Sequence, residues 1–191
     1  KAGAGGIVGA EYAAKAAPDG NTFFLCSIHH SVLPSLKPKL SYDIERDFVP
    51  VSGGAMFPVI LVAHPSLPVQ SVSELIAYAK KNPKSLAYAS AGNGGGTHLS
   101  AELFNMLAGT TLNHIPYKGS APAMTDVLGG QVPLMFSDAP TALPFIRNGK
   151  VKALAVASTQ RYSLMPDLPT LAESGLPGYE AYSWAAVVAP A

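Results

Sequence analysis

The chain predicts an α/β fold with mostly parallel sheets, and three observations carry that expectation. Short β-rich runs alternate with helical segments along most of its 191 residues. Successive helical segments close on glycine, at Gly109, at Gly129–Gly130 and at Gly149, as helices do when a strand follows directly. Hydrophobic residues make up 48% of the chain and charged residues only 13%, against a usual share of about 25%, so the chain has ample material for a buried core.

Residues 7–17, after "GAGG", are helical in composition and stop at "PDG", where proline fixes φ and glycine accepts a positive one. Residues 22–28 read as a strand. The proline-rich stretch 29–47 reads as irregular, and residues 58–64, "PVILVAH", read as a buried strand. Ser71 and Glu74 have the S-x-x-E spacing of a capping box and open the helix "VSELIAYAKKN", which Pro83 ends. The strand "LAYAS" comes next. Then follow a helix over 98–107, the strand "NHIPY", the helix "APAMTDVL", the strand "VPLMFS", the helix "TALPFIRN" and the strand "KALAVAS". Thr170 and Glu173 repeat the capping-box spacing and predict a short helix after Pro166 and Pro169. A strand-like "SWAAVVAPA" ends the chain. No repeat of fixed period and no low-complexity segment interrupts this order.

Composition also excludes several partners. Thirteen basic residues against twelve acidic give a net charge of +1. The densest basic cluster, Lys80, Lys81 and Lys84, sits at a helix end where the dipole favours cations, so no nucleic-acid partner is indicated. Apolar stretches such as residues 59–63 fall far short of the roughly 18 residues of a membrane span. The single cysteine, Cys26, lies in an apolar run; it excludes intrachain disulfides and CxxC sites and reads as a small buried hydrophobe. No signal peptide is visible. The first residue is Lys1 rather than methionine, which points to a processed or truncated start.

In open α/β sheets ligands bind beyond the carboxyl ends of the strands, which directs attention to the loops after Ile28, Ser90, Tyr117 and Phe136. The second of these, "AGNGGGTHLSAELF" at 91–104, places four glycines before an amphipathic helix. A dinucleotide fingerprint fails there, because from Gly92 and Gly94 its last glycine would fall on Thr97, and a phosphate loop would need a lysine that is absent. In "GAGGIVG" the same position falls on Val8. A nucleophilic elbow at Ser90 would need glycine where Tyr88 stands, and a Ser, Asp, His order through Asp138 would need a later histidine. None of the five histidines follows Asp138, and none has a carboxylate at metal-ligand spacing, so no metal and no cofactor is expected. Each histidine alone reads as structural, with His29–His30 after a strand end the exception. What remains is passive anion capture: uncapped helix N–H groups carry the positive end of the dipole, and glycines let a ligand approach them. A small carboxylate fits without any arginine, and none of the three arginines lies in these loops. The alternative is that the glycines only make a tight strand-to-helix turn.

The stretches "YASAGNGGGTHLSAELF", "HIPYKGSAPAMTDVLGGQVPLMF", "GKVKALAVAS" and "MPDLPTLAESGLPGYEAYSW", with "APDG", "YDIERDFVPV" and "HPSLPVQSVSEL", resemble the Bug (TctC-like) family of extracytoplasmic solute receptors of tripartite tricarboxylate transporters, in order and over nearly the whole chain. The resemblance implies a periplasmic, two-lobed, class II-like binding-protein clamshell. It would capture a small organic carboxylate between its lobes, deliver it to the membrane components of a transporter and perform no chemistry. A monomer is expected. Lobe one would comprise residues 1–61 and 179–191, lacking the family's first strand and the helix expected after Ala191, and lobe two residues 62–178. By motif position Ser90, Asn93, Gly94, Gly95, Gly96 and Thr97 inherit the carboxylate grip, and Ser27, His29, His30, Ser137 and Asp138 border the same cleft. The family tends to have small hydroxyl or amide residues where His29 and His30 stand, so a histidine there is expected to meet a distal ligand group. Asp138 is expected either to pair with a ligand amine or to cap a helix. A hydrolase-like enzyme acting on a small carboxylate or ester is the alternative class, which turnover of a bound acid would distinguish.

Overall fold

The computed structural model describes residues 6–37, 39–83 and 85–191; Gly3 and Gly5 of "GAGG" and Lys84 of the lysine cluster lie outside the described residues. In chain order the elements are α1 (Ile7–Ala14), β1 (Phe24–Ser27), α2 (Ile28–Leu36), β2 (Phe48–Ala63), α3 (Val72–Lys81), β3 (Ala87–Ser90) and α4 (Gly96–Ala108). They continue with β4 (Asn113–Pro116), α5 (Ser120–Leu128), β5 (Leu134–Asp138), α6 (Ala139–Arg147), β6 (Lys152–Val156) and β7 (Tyr182–Pro190). The chain divides into two compact units, Lys1–Met56 with Ser183–Ala191, and Phe57–Tyr182. Both divisions fall inside strands, β2 and β7, where 61/62 and 178/179 were the expected positions.

In the larger unit, β3 lies between β4 and β5 and runs parallel to both, while β2 pairs antiparallel with β5 and with β6. The four strands from β3 to β6 therefore share one direction, set by the helix between each successive pair, and β2 alone is reversed. Residues 59–63 of β2 are fully buried, so neither face of this second part of the strand meets water, whereas residues 49–56 are exposed. Val59, Leu61 and Ala63 pack with α3 and α4 through Leu75, Ala101 and Phe104. Ile60 and Val62 face the other way, with Met124 and Val127 of α5 and Ala142 of α6. The helices thus cover both faces: α4, following β3, lies on one, and α5 and α6, following β4 and β5, lie on the other.

In the smaller unit, Ile7 and Ala10 of α1, Cys26 of β1, Leu33 of α2, Phe48 of β2 and Val188 of β7 form the core. Burial raises the Cys26 thiol pKa. Here β1 runs antiparallel to β7, from Phe24 opposite Val188 to Ser27 opposite Ala185, which departs from the parallel expectation. A parallel pair is made by a crossover packed on the sheet between its strands, whereas the chain between β1 and β7 runs through the larger unit.

Three further expectations are corrected. Of the stretch 29–47, residues 29–36 are not irregular but belong to α2, which the Ser27–His30 capping box opens despite Pro34 inside the helix; residues 37 and 39–47 are irregular as expected. β2 begins at Phe48, ten residues before the expected start, because Pro50 and the Gly53–Gly54 pair disguise its first half. The second capping box forms its bonds, Glu173 N to Thr170 Oγ1 at 3.0 Å and Thr170 N to Glu173 Oε2 at 2.8 Å, yet only a turn follows. Gly175 at φ 103° ends it within one turn. In the first box Glu74 N donates to Ser71 Oγ at 3.2 Å, as its spacing implies, but Glu74 Oε2 accepts from Gln70 N, one residue before the N-cap, at 2.6 Å.

Truncating Leu61 to alanine should destabilise the protein by about 2–5 kcal/mol, because both faces of β2 are enclosed and the cavity cannot collapse. Urea denaturation of L61A measures this, and a loss under about 1 kcal/mol would contradict the packing described.

Candidate functional site

β3 sends its helix to one face of the sheet while its neighbours β4 and β5 send theirs to the other. Divergence of this kind opens a crevice beyond the strand ends. The expected glycine loop leaves β3 at that position. Its first intrahelical bond runs from Leu99 N to Gly95 O at 3.0 Å, and the N-cap, Gly95, offers no side chain. The N–H groups of Gly96, Thr97 and His98 therefore have no helical acceptor.

The remainder of the loop is held by side chains. Thr97 Oγ1 accepts from Ala91 N at 3.0 Å, Ser90 Oγ accepts from Gly92 N at 3.2 Å, and His98 Nδ1 accepts from Gly94 N at 3.0 Å. Gly92 has φ 137°, and a Cβ there would meet Tyr117 O at 3.3 Å, so the loop needs glycine at that point. Asn93 is exposed, while Gly94, Gly96 and Thr97 are buried and Gly95 is half-buried.

Beneath the loop, His98, His114 and Tyr88 form a stack of rings. The two imidazoles lie 4.1 Å apart and 20° from parallel, and Tyr88 lies 4.9 Å beyond His114. His114 Nε2 meets Ser90 Oγ at 2.6 Å, and Tyr88 donates to Glu102 Oε1 at 2.6 Å. Burial lowers the pKa of His98, and burial together with the charge of His98 lowers that of His114 to about 4, so both rings are neutral near pH 7. Ser90 is fully buried and its hydroxyl is engaged in this network, which leaves it no access to a substrate carbonyl.

Two expected residues come from β5. Ser137 is buried, and its hydroxyl donates to Asp138 O at 3.3 Å. Asp138 occupies the N-cap position of α6 but makes no side-chain cap bond; its Oδ2 accepts from Ser120 Oγ at 3.0 Å, and its buried Oδ1 has no hydrogen-bond partner among the described residues. Ser120 lies beyond β4 and was not named from the sequence, although its loop was. From the sequence, His98 and His114 each read singly as structural. Their joint role depends on the β3–β4 register, which sets Tyr88 opposite His114.

The smaller unit holds Ser27, His29 and His30 at the start of α2. His30 Nδ1 accepts from Ser27 N at 3.1 Å, its ring meets Phe24 edge-on at 4.9 Å, and its buried Nε2 has no partner among the described residues. His29 is half-buried, and burial lowers the pKa of both rings.

The family model described as tripartite tricarboxylate transporter family receptor matches residues 1–191. The chain is 42% identical over 192 residues to Protein BugT of Bordetella pertussis (strain Tohama I), covering all of itself and 59% of that protein. Among solved structures it resembles R. palustris Rpa4515 with adipate at 38% identity and TM-score 0.93, covering 100% of this chain and 64% of that one. It also resembles MatC (Rpa3494) from Rhodopseudomonas palustris with bound malate, at 36% identity and TM-score 0.91, covering 98% of this chain and 64% of that one. The chain thus spans less than two thirds of the length of these relatives.

The buried histidines generate a pH dependence. The folded pKa of His114, about 4, lies below its ordinary 6.5, so the unfolded chain binds the extra proton between those values and stability falls as pH drops through that window. The lowered pKa values of His29, His30 and His98 act in the same direction. Melting temperatures recorded from neutral to acid pH should fall, and His114→Gln should flatten the slope. Equal slopes in the two proteins would contradict the assignment.

Proposed function

We propose, for a chain that belongs to the tripartite tricarboxylate transporter receptor family, that it captures a small organic carboxylate in the periplasm and passes it unaltered to the membrane components of a transporter. The observation that carries this is the start of α4: backbone N–H groups without helical acceptors, at a sheet position where ligands bind, behind a loop that only glycine can form. The grip is assigned to the backbone at Gly95, Gly96 and Thr97, with Asn93 at the exposed rim, and Gly94, whose N–H is held by His98, and Ser90 shaping the loop. Charge-assisted hydrogen bonds contribute about 1.5–3 kcal/mol each, so a few supply much of the roughly 8 kcal/mol of a micromolar complex. No guanidinium is required. Arg46 and Arg161 are engaged by Asp47 and Glu173, and Arg147 stands at the far end of α6.

Within the larger unit, Ser137 and Asp138 at the end of β5 are assigned to the same site as the start of α4; within the smaller unit, Ser27, His29 and His30 are candidate ligand contacts in their own right. The acids in the two R. palustris neighbours, adipate and malate, support a dicarboxylate as the ligand class. Binding without turnover is favoured over hydrolysis because Ser90 is buried and its hydroxyl engaged.

A thermal-shift series with malate, adipate, other carboxylates, acidic amino acids and neutral sugars tests this. A cognate acid at a hundred times its dissociation constant should add about 2.7 kcal/mol, whereas silence across the acids would overturn the proposal. The partnerless Oδ1 makes Asp138 the residue to meet a ligand amine: Asp138→Ala should weaken amino acids selectively, and an unaltered ranking would remove that role. A His29→Ala, His30→Ala double variant should bind the cognate acid more weakly, and unchanged affinity would remove those residues from the site.

A further inference from the structure

The third residue of α4 is a histidine, where a capping box would have Glu or Gln. Its Nδ1 takes the N–H of Gly94, just before the N-cap. Together with Ser90 Oγ and Thr97 Oγ1, it ties the donors of Ala91, Gly92 and Gly94 into the protein. The donors at the helix start are the ones left over. At α3 the corresponding job is done by Glu74, whose carboxylate takes Gln70 N at 2.6 Å. A carboxylate in that role on α4 would place a negative charge beside the donors meant for an anion. Neutral imidazole supplies the same acceptor without the charge, and stacking on His114, itself stacked on Tyr88, holds the ring in place. The same device appears at the start of α2, where His30, again the third helical residue, accepts from Ser27 N at 3.1 Å.

We propose that His98 is a positioning residue: an uncharged capping acceptor that holds the Gly94 N–H inward and so fixes the donor cluster of α4 in a form that admits a carboxylate. This rests on the carboxylate-capture function proposed above. The consequence is a requirement for acceptance and neutrality together, which three substitutions separate. His98→Gln keeps a neutral acceptor, His98→Phe keeps a stacking ring but no acceptor, and His98→Glu keeps an acceptor but adds charge.

Affinity for malate and adipate, and hydrogen exchange at the Gly94 amide without ligand, are measured on all four proteins. Gln should stay within about threefold of the parent affinity, whereas Phe and Glu should each lose about tenfold or more. The Gly94 amide should be protected in the parent, Gln and Glu proteins and exchange faster in Phe. Glu should melt no lower than Gln, since a helix N-terminus favours a negative charge. A merely structural role would make affinity follow melting temperature, and parent-like binding by Phe or by Glu would overturn the proposal. If the parent binds neither acid, the capture function fails on its own; the exchange arm still decides the capping role, and equal protection in all four proteins would overturn it.

Discussion

A helix cannot satisfy its own first N–H groups, and at α4 nothing else in the described chain is offered to them. The surroundings follow from that shortfall. A side chain at the N-cap would fill the position, and glycine stands there. The helix start stands where the chain diverges to opposite faces of the sheet, at the strand ends above the core.

That position depends on β2. A strand buried on both faces lets α3 and α4 pack on one side and α5 and α6 on the other, so the loops after β3 and β5 leave in opposite directions. The ring stack of Tyr88, His114 and His98 then forms the floor. A polar network at this depth is costly unless its members are satisfied. Here the hydroxyl of Ser90, the imidazole of His114 and the phenol of Tyr88 each have a partner, and the rings stay neutral.

Sequence reasoning reached what local chemistry encodes. The glycine loop, the Ser71–Glu74 box and the buried run at 59–63 are visible in a few consecutive residues. β2 is legible only in its second half, because Pro50 and Gly53–Gly54 look like turn residues, and α2 is hidden by Pro34, a residue that ordinarily breaks a helix. The box at Thr170 formed as its spacing implied but nucleated no helix, because Gly175 stops the turn before tertiary contacts extend it. The floor of the site was illegible for a different reason. His98 and His114 are sixteen positions apart, 114 minus 98, and meet only through strand register, which no local pattern reveals. Ser120 and Asp138 likewise join two loops that are neighbours only in the folded sheet.

Donors that belong to the main chain are inherited differently from donors on side chains. Almost any codon change at 96–98 leaves an N–H in place, and only a change to proline removes one. A lysine or arginine donor could be lost or reversed in a single step, whereas a main-chain donor persists through most substitutions, even where, as at His98, the side chain is needed to position the loop. Variation at the side chains around it, such as Asn93 and Asp138, leaves these main-chain donors in place.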